Sequence, residues 1–418
     1  MTTLVVEGGR RLEGAVTVSG NKNAALPLLA ACLLTPEECV LENVPAIRDV
    51  EGMARLLQGL GACVEGIGTA TLRVRCAEVT TDAPDPALVG RLRGSVLLLG
   101  PLLARRGRAL LGEPGGDFPS RRTLAMHHVA LEALGATSCA GARHAFEAKD
   151  GLRPASFYLE EASVTGTETA LLAAAAAPGV TQIRHAACEP HVVELCRFLE
   201  AMGARIEGAG TPTLRIEGRR RLGGANQRLE GDGIEAGSFA VLAGITGGRV
   251  EVDGVGWSEM EPIVGVLRRL GLDCEGGGRR FRAAAGDRVA TGRITTGLWP
   301  GFPSDLVSLV TVLATQSRGA TLVHDWMYEL RLFALDQLSG MGADLFLCDP
   351  HRLIVNGPTR LRGRSLDSKD IRSGMALIAA ALAAEGESRV APIETVERGY
   401  ADLVPRLRAL GAAVRVEG

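Results

Sequence analysis

The chain has 418 residues, too many for one ordinary hydrophobic core, so two domains are the first expectation. It carries 46 basic against 48 acidic side chains, 46% hydrophobic residues and 22% charged ones. This is the composition of a soluble globular protein without a strong net field, and it excludes nucleic acid or an acidic membrane surface as the natural partner.

Taken in chain order, MTTLVVEGGRRLEG lacks the basic-then-apolar order of a signal peptide. GNKN (20–23) then precedes an apolar helix, AALPLLAACLL. A helix start collects anions through its free N–H groups, and Lys22 adds a point charge there. VLLLGPLLA is interrupted by Gly100-Pro101, and LLAAAAAPG is too short to cross a bilayer. PGGDFPSR (114–121) reads as a turn, or as a carboxylate, Asp117, held beside Arg121 and Arg122. GGG at 276–278 fits a hairpin turn. Nine cysteines without a C-x-x-C pair, and seven scattered histidines including His127-His128, give neither a disulfide framework nor metal-ligand spacing. A reducing cytoplasm is the expected location and no metal is expected.

The strongest large-scale signal is a repeat. LQGLGA, LEALGA, LEAMGA, RRLGL, LSGMGA and LRALGA each close a helical pattern, with glycines at 61, 135, 203, 271, 342 and 411, at intervals of 74, 68, 68, 71 and 69 residues. The fifth unit runs SLVTVLATQS, GATLVHD, LRLFALDQLSGMGA, DLFLCD, HRLIVNG, which predicts helix, strand, helix and further strands. Each closing glycine predicts a left-handed residue after a helix end. One such layer cannot bury its apolar face alone, so the six units group as two lobes of three, helices inside and sheets outside.

The repeat and the motifs GNKN, RLRGS, PGGDFPSRR, PGFPSD, YELR, DIRSG and ERGY together resemble the enolpyruvyl transferases along essentially the whole chain. Within that family the UDP-N-acetylglucosamine 1-carboxyvinyltransferase branch of peptidoglycan biosynthesis is the nearer match. 5-Enolpyruvylshikimate-3-phosphate synthase is the more distant one. The resemblance implies a two-lobed inside-out α/β barrel, or prism, of six βαβαββ-like units. Residues 22–229 form one lobe, and 1–21 with 230–418 form a discontinuous second lobe. Substrates bind in a cleft over which the lobes close.

The implied reaction moves enolpyruvate from phosphoenolpyruvate to a sugar hydroxyl and needs no cofactor. The hydroxyl adds to C2 as C3 takes a proton, and phosphate leaves from the tetrahedral adduct. Such chemistry needs cations for the donor, a base at the hydroxyl and an acid near C3. Residue by residue, the resemblance assigns phosphoenolpyruvate to Lys22, Arg93, Arg122, Arg331, Arg372 and Arg398, since guanidinium forks suit both carboxylate and phosphate. It counts Lys22 as catalytic as well as donor-binding, and makes Asp305 the base and Asp117 the mobile-loop acid, where many members carry cysteine. Lacking that thiol, the chain is expected to be insensitive to fosfomycin. Asn23, Arg122, Thr123, Leu124, Ser163, Val164, Thr165, Asp305 and Met327 fall on acceptor-binding positions, and Glu329 and Glu189 are further proton-handling candidates.

The acceptor region departs from the pattern. Ala125 stands where the family has an aspartate used on uracil, and Glu161 where a lysine serves the diphosphate. Gly233 and Cys188 replace arginines, and Trp299 replaces a histidine. Either these are lineage drift in a peptidoglycan enzyme, or the acceptor is a smaller nucleotide such as UMP, as in nucleoside antibiotic biosynthesis. A non-catalytic anion-binding regulator with the same fold is the alternative from another class.

Overall fold

The six repeat glycines all lie in the left-handed region, with φ of 103° at Gly61, 93° at Gly135, 110° at Gly203, 85° at Gly271, 103° at Gly342 and 94° at Gly411. Each follows the leucine or methionine that ends its helix, so the expected helix stop recurs along the chain. These and the following observations come from a computed structural model that describes residues 2–115, 123–329 and 331–418. Asp117 and Arg122 lie outside the described residues.

The described chain divides into two units, one of residues 2–19 with 231–418, the other of 20–115 with 123–230. Strand pairing explains why the first unit is discontinuous. The opening strand Thr3–Glu7 lies between Glu387–Ala391 and Ala413–Glu417, with Val5 opposite both Arg389 and Arg415. The next strand, Glu13–Thr17, runs parallel to Arg249–Asp253, with Val16 opposite Val252. Two further sheet groups complete this unit's surface: Leu272–Gly277 and Arg280–Ala285 extend the second sheet, and Gly292–Thr295, Gly319–His324, Arg352–Gly357 and Asp344–Asp349 form the third. Of the GGG at 276–278, Gly276 and Gly277 end the strand and Gly278, at φ 59°, makes the hairpin turn with Arg279.

Inside this unit lie the helices Gly233–Thr246, Val307–Ala314 and Ile371–Ala383, which pack on one another. They are apolar on every side because sheets or helices cover every side. Gly237 permits a close approach: a Cβ there would stand 2.6 Å from Leu306 Cδ1. Outer helices show the ordinary one-sided pattern; Glu261–Arg269 buries Ile263, Val264, Val266 and Leu267 and leaves its charges outside.

The second unit is built alike. Lys22–Ala31, Leu99–Arg106 and Val164–Ala175 are its buried helices. Its sheets include Glu38–Glu42 between Thr71–Arg75 and the parallel strand Asn226–Arg228. Burial in Thr71–Arg75 alternates residue by residue, as a half-covered strand requires.

Two local expectations need correction. GNKN does not precede the helix: Lys22 and Asn23 are its first two residues, and Asn21 is the cap, its side chain accepting from Asn23 N and Ala24 N. The second helix of the fifth unit is not one continuous α-helix but a 3-10 stretch, Arg331–Leu335, followed by Asp336–Gly340. Its buried residues Leu332, Leu335, Leu338 and Met341 recur every third position, the period of the tighter helix. Among the described residues no helix is long and apolar enough to cross a membrane.

Candidate functional site

In the unit of residues 20–115 and 123–230, the cap on Asn21 starts a helix at Lys22 and points that side chain inward. Its Nζ lies 2.8 Å from Asp49 Oδ2, with the two side chains 11% and 8% exposed. Asp49 belongs to the first turn of Arg48–Gly59, where a carboxylate also suits the helix dipole. Arg93 opens the 3-10 turn Arg93–Leu98, and its Nη2 donates to the Thr123 carbonyl at 3.4 Å. The Thr123 hydroxyl in turn accepts from Ala125 N, at the head of Ala125–Ala133, and Leu124 beside it is buried.

Ser163, Val164 and Thr165 form the start of the buried helix Val164–Ala175. Ser163 Oγ caps it by accepting from Gly166 N at 3.2 Å, and all three residues keep partial exposure. A partly exposed helix start of this kind favours an anion. Thr165 Oγ1 is 3.0 Å from His127 Nε2. His127 is buried, and burial, then the charges of Arg93 and His128, push its pKa down to about 3. It is therefore a neutral imidazole at physiological pH. Behind the same helix, burial and then Glu189 hold the Glu168 carboxyl well above the usual range, and His191 Nε2 stands 3.8 Å from it. Glu189 is partly buried and Glu161 is exposed.

In the other unit the expected residues gather around one carboxylate. Asp305 lies in the short turn Ser304–Leu306 at the head of Val307–Ala314. Its Oδ1 is 3.2 Å from Arg331 Nη1 and its Oδ2 is 2.6 Å from Arg372 Nη2. Both guanidiniums are nearly buried while Asp305 stays 25% exposed, so the face left open to solvent is the carboxylate's. Arg372 is fixed by its helix start, where Asp370 accepts from Arg372 N and Ser373 N at 2.9 Å each. Burial pulls both arginines down, but nearby acids outweigh it, Asp305 foremost, and both are raised. Tyr328 lies under Arg331, 4.2 Å from ring centre to guanidinium.

Arg398 sits partly buried in the turn just before Tyr400, Met327 is partly exposed with its N–H on Asp325 Oδ1, and Glu329 is exposed. Asn23 is partly exposed in the first turn of its helix. Among the described residues no group of three or more His, Cys, Asp and Glu is arranged to hold a metal ion.

Several structural partners escape a reading of the sequence: Asp49 behind Lys22, His127 behind Thr165, Ser304 and Asp325 behind Arg331, and Tyr400 behind Arg372. Tyr400 is buried, donates to Ser238 Oγ at 2.8 Å and hydrogen-bonds Arg372. Ser238 spends its own proton on the Ile234 carbonyl, which fixes that direction. In each case the partner is distant in sequence or carries no motif that would mark it.

Residues 6–407 match the family model described as EPSP synthase (3-phosphoshikimate 1-carboxyvinyltransferase). The chain is 44% identical to the UDP-N-acetylglucosamine 1-carboxyvinyltransferase of Bradyrhizobium diazoefficiens, over 98% of this chain and 97% of that protein. It is 40% identical to the enzyme of the same name from Treponema denticola, covering 100% of both. Among solved structures, the enolpyruvyl transferase NikO from Streptomyces tendae superposes with a TM-score of 0.88 at 26% identity, covering 99% of this chain and 98% of that one. EPSP synthase from Acinetobacter baumannii, 18% identical with a TM-score of 0.75 over 100% of both chains, shares the fold. End-to-end similarity of this order, on a mixed α/β fold that carries the family's charged motifs, makes the chain a member of the EPSP synthase family of enolpyruvyl transferases.

Proposed function

We propose that this protein transfers enolpyruvate from phosphoenolpyruvate to a sugar hydroxyl of UDP-N-acetylglucosamine, releasing phosphate. The observation that carries the chemistry is the Asp305 carboxylate, partly exposed between two nearly buried guanidiniums. Full-length likeness to enzymes named for that acceptor supports its identity. Asp305 takes the hydroxyl proton as oxygen adds to C2 of the donor, and Asp117 delivers a proton to C3. The tetrahedral adduct then returns the C3 proton and expels phosphate. Lys22, Arg93, Arg122, Arg331, Arg372 and Arg398 take the donor's carboxylate and phosphate. Asn23, Thr123, Leu124, Ser163, Val164, Thr165 and Met327 take the acceptor, with its phosphates toward the start of Val164–Ala175.

The same reading groups the six glycine-closed repeats as a prism of three units per lobe, with lobes of 22–229 and 1–21 plus 230–418. Three sheets and three buried helices in each described unit support it.

A second reading rests on Glu161, an exposed acid where the family's lysine meets the diphosphate. Under it the acceptor is a smaller nucleotide such as UMP. Phosphate release from phosphoenolpyruvate, with product mass, separates the two. The panel is UDP-N-acetylglucosamine, UMP, uridine and shikimate 3-phosphate. Turnover with the first supports the main reading; turnover with UMP alone replaces it with the second. No phosphoenolpyruvate binding at all returns the protein to the non-catalytic class.

A further inference from the structure

Asp325 directly follows the strand Gly319–His324 and is completely buried. Its backbone is clamped by His351: Asp325 N donates to the His351 carbonyl and His351 Nδ1 donates to the Asp325 carbonyl, each at 2.8 Å. The carboxylate, so fixed, accepts three hydrogen bonds. Oδ1 takes the Thr296 hydroxyl at 2.8 Å and Met327 N–H at 3.3 Å, and Oδ2 takes the Ser304 hydroxyl at 2.7 Å.

The Ser304 bond has a direction that matters. A carboxylate can only accept, so the single Ser304 proton goes to Asp325 and the oxygen's lone pairs are left for another donor. That donor is Arg331 Nη1, 2.8 Å away. Arg331 therefore donates to Ser304, and Ser304 donates to Asp325, in one chain of buried groups. The same Nη1 also reaches Asp305. The two acceptors differ in what the reaction does to them. Asp305 is partly exposed and gains a proton during turnover, which cancels its charge and its hold on Arg331. Ser304 and Asp325 are 4% and 0% exposed and are given no proton to take up in the transfer reaction, so their hold does not change.

We infer that Asp325 is a positioning residue for the transfer reaction: through Ser304 it keeps the Arg331 guanidinium aimed at the donor while Asp305 cycles between charged and neutral. The inference rests on the enolpyruvyl-transfer reading above. It goes beyond that reading in giving a buried acid and a serine hydroxyl a share in binding phosphoenolpyruvate.

The test compares Asp325→Asn, Ser304→Ala and Ser304→Thr with the wild-type full chain. Phosphate release is measured against phosphoenolpyruvate concentration. In the same preparations, 15N NMR of the arginine guanidiniums reads rotation about the Arg331 Nε–Cζ bond, assigned with Arg331→Lys. Asp325→Asn and Ser304→Ala are each expected to raise the KM for phosphoenolpyruvate about tenfold while kcat falls less than threefold, and to speed the Arg331 rotation. Ser304→Thr, which keeps the hydroxyl, is expected to recover the wild-type KM within threefold. The double variant Asp325→Asn/Ser304→Ala should be no worse than either single one, because both break the same chain. A KM within twofold of wild type in Ser304→Ala, or equal losses in Ser304→Ala and Ser304→Thr, overturns the inference. Should Asp325→Asn fail to fold, the serine pair still decides. If wild-type protein does not turn over phosphoenolpyruvate, the transfer reading fails; an unchanged Arg331 rotation in Ser304→Ala would separately overturn the relay.

Discussion

Arg372 Nη2 and Asp305 Oδ2 meet at 2.6 Å, though 67 residues separate them in sequence. The guanidinium is buried at a helix start and cannot follow the carboxylate outward, so the pair fixes where Asp305 presents its oxygens. Asp305→Ala is expected to lower kcat by about 10²–10⁴-fold, the usual weight of a positioned base. Steady-state phosphate release checks it, with circular dichroism showing retained fold.

The Lys22–Asp49 pair is nearly buried, so removing one member takes an opposite charge away from the other where water screens little. Asp49→Ala removes the carboxylate 2.8 Å from that nearly buried ammonium and should destabilise the protein by about 3 kcal/mol. Urea unfolding measures this. Lys22→Met/Asp49→Leu, which removes both charges, should regain most of that stability yet bind phosphoenolpyruvate far more weakly than wild type.

His127 links stability to pH. Its imidazole is held near pKa 3 in the fold against 6.5 unfolded, so the unfolded chain takes up a proton first as pH falls. The contribution is intact above pH 6.5 and is lost progressively as pH drops toward 3. At pH 4.5 the loss from this residue amounts to about 3 kcal/mol. Urea midpoints at pH 7.5 and 4.5 should therefore differ less in His127→Phe than in wild type.

Glu161 tests acceptor charge. If the acceptor carries a diphosphate near this residue, Glu161→Lys replaces repulsion with attraction and should lower the KM for UDP-N-acetylglucosamine by about tenfold. The KM for phosphoenolpyruvate should stay within twofold. An unchanged acceptor KM would show that the diphosphate lies elsewhere.

Asp117 offers no thiol at the position where the family's reactive cysteine stands. Incubation with fosfomycin should produce no time-dependent loss of activity and no adduct by mass spectrometry. Introducing the thiol as Asp117→Cys should restore covalent inactivation.

How much of this was legible beforehand differs by feature. The repeat was plain because Leu-Gly-Ala closures are local: the glycine must adopt a backbone angle that side chains resist, and that requirement is written at the position itself. The motif around Asp305 was equally readable, since PGFPSD is contiguous. Asp325 was not. It sits at the end of an alternating strand pattern, and nothing nearby in sequence says that its carboxylate faces Ser304, 21 residues earlier. The helix start at Lys22 shifted by two residues because Asn21 and Asn23 are both good caps, and only the backbone at residue 21 decides between them.

By itself, then, the sequence determined the period, the helix stops, the charged motifs and the family to which they belong, because each depends on a short run of residues and the conformations open to them. Only the tertiary structure decided the partners of those charges: Asp49 for Lys22, Arg331 and Arg372 for Asp305, Ser304 and Asp325 for Arg331, Tyr400 for Arg372. A buried charge must find compensation somewhere in the fold, but chain connectivity does not say where. The packing of buried helices against sheets from distant parts of the chain supplies that answer.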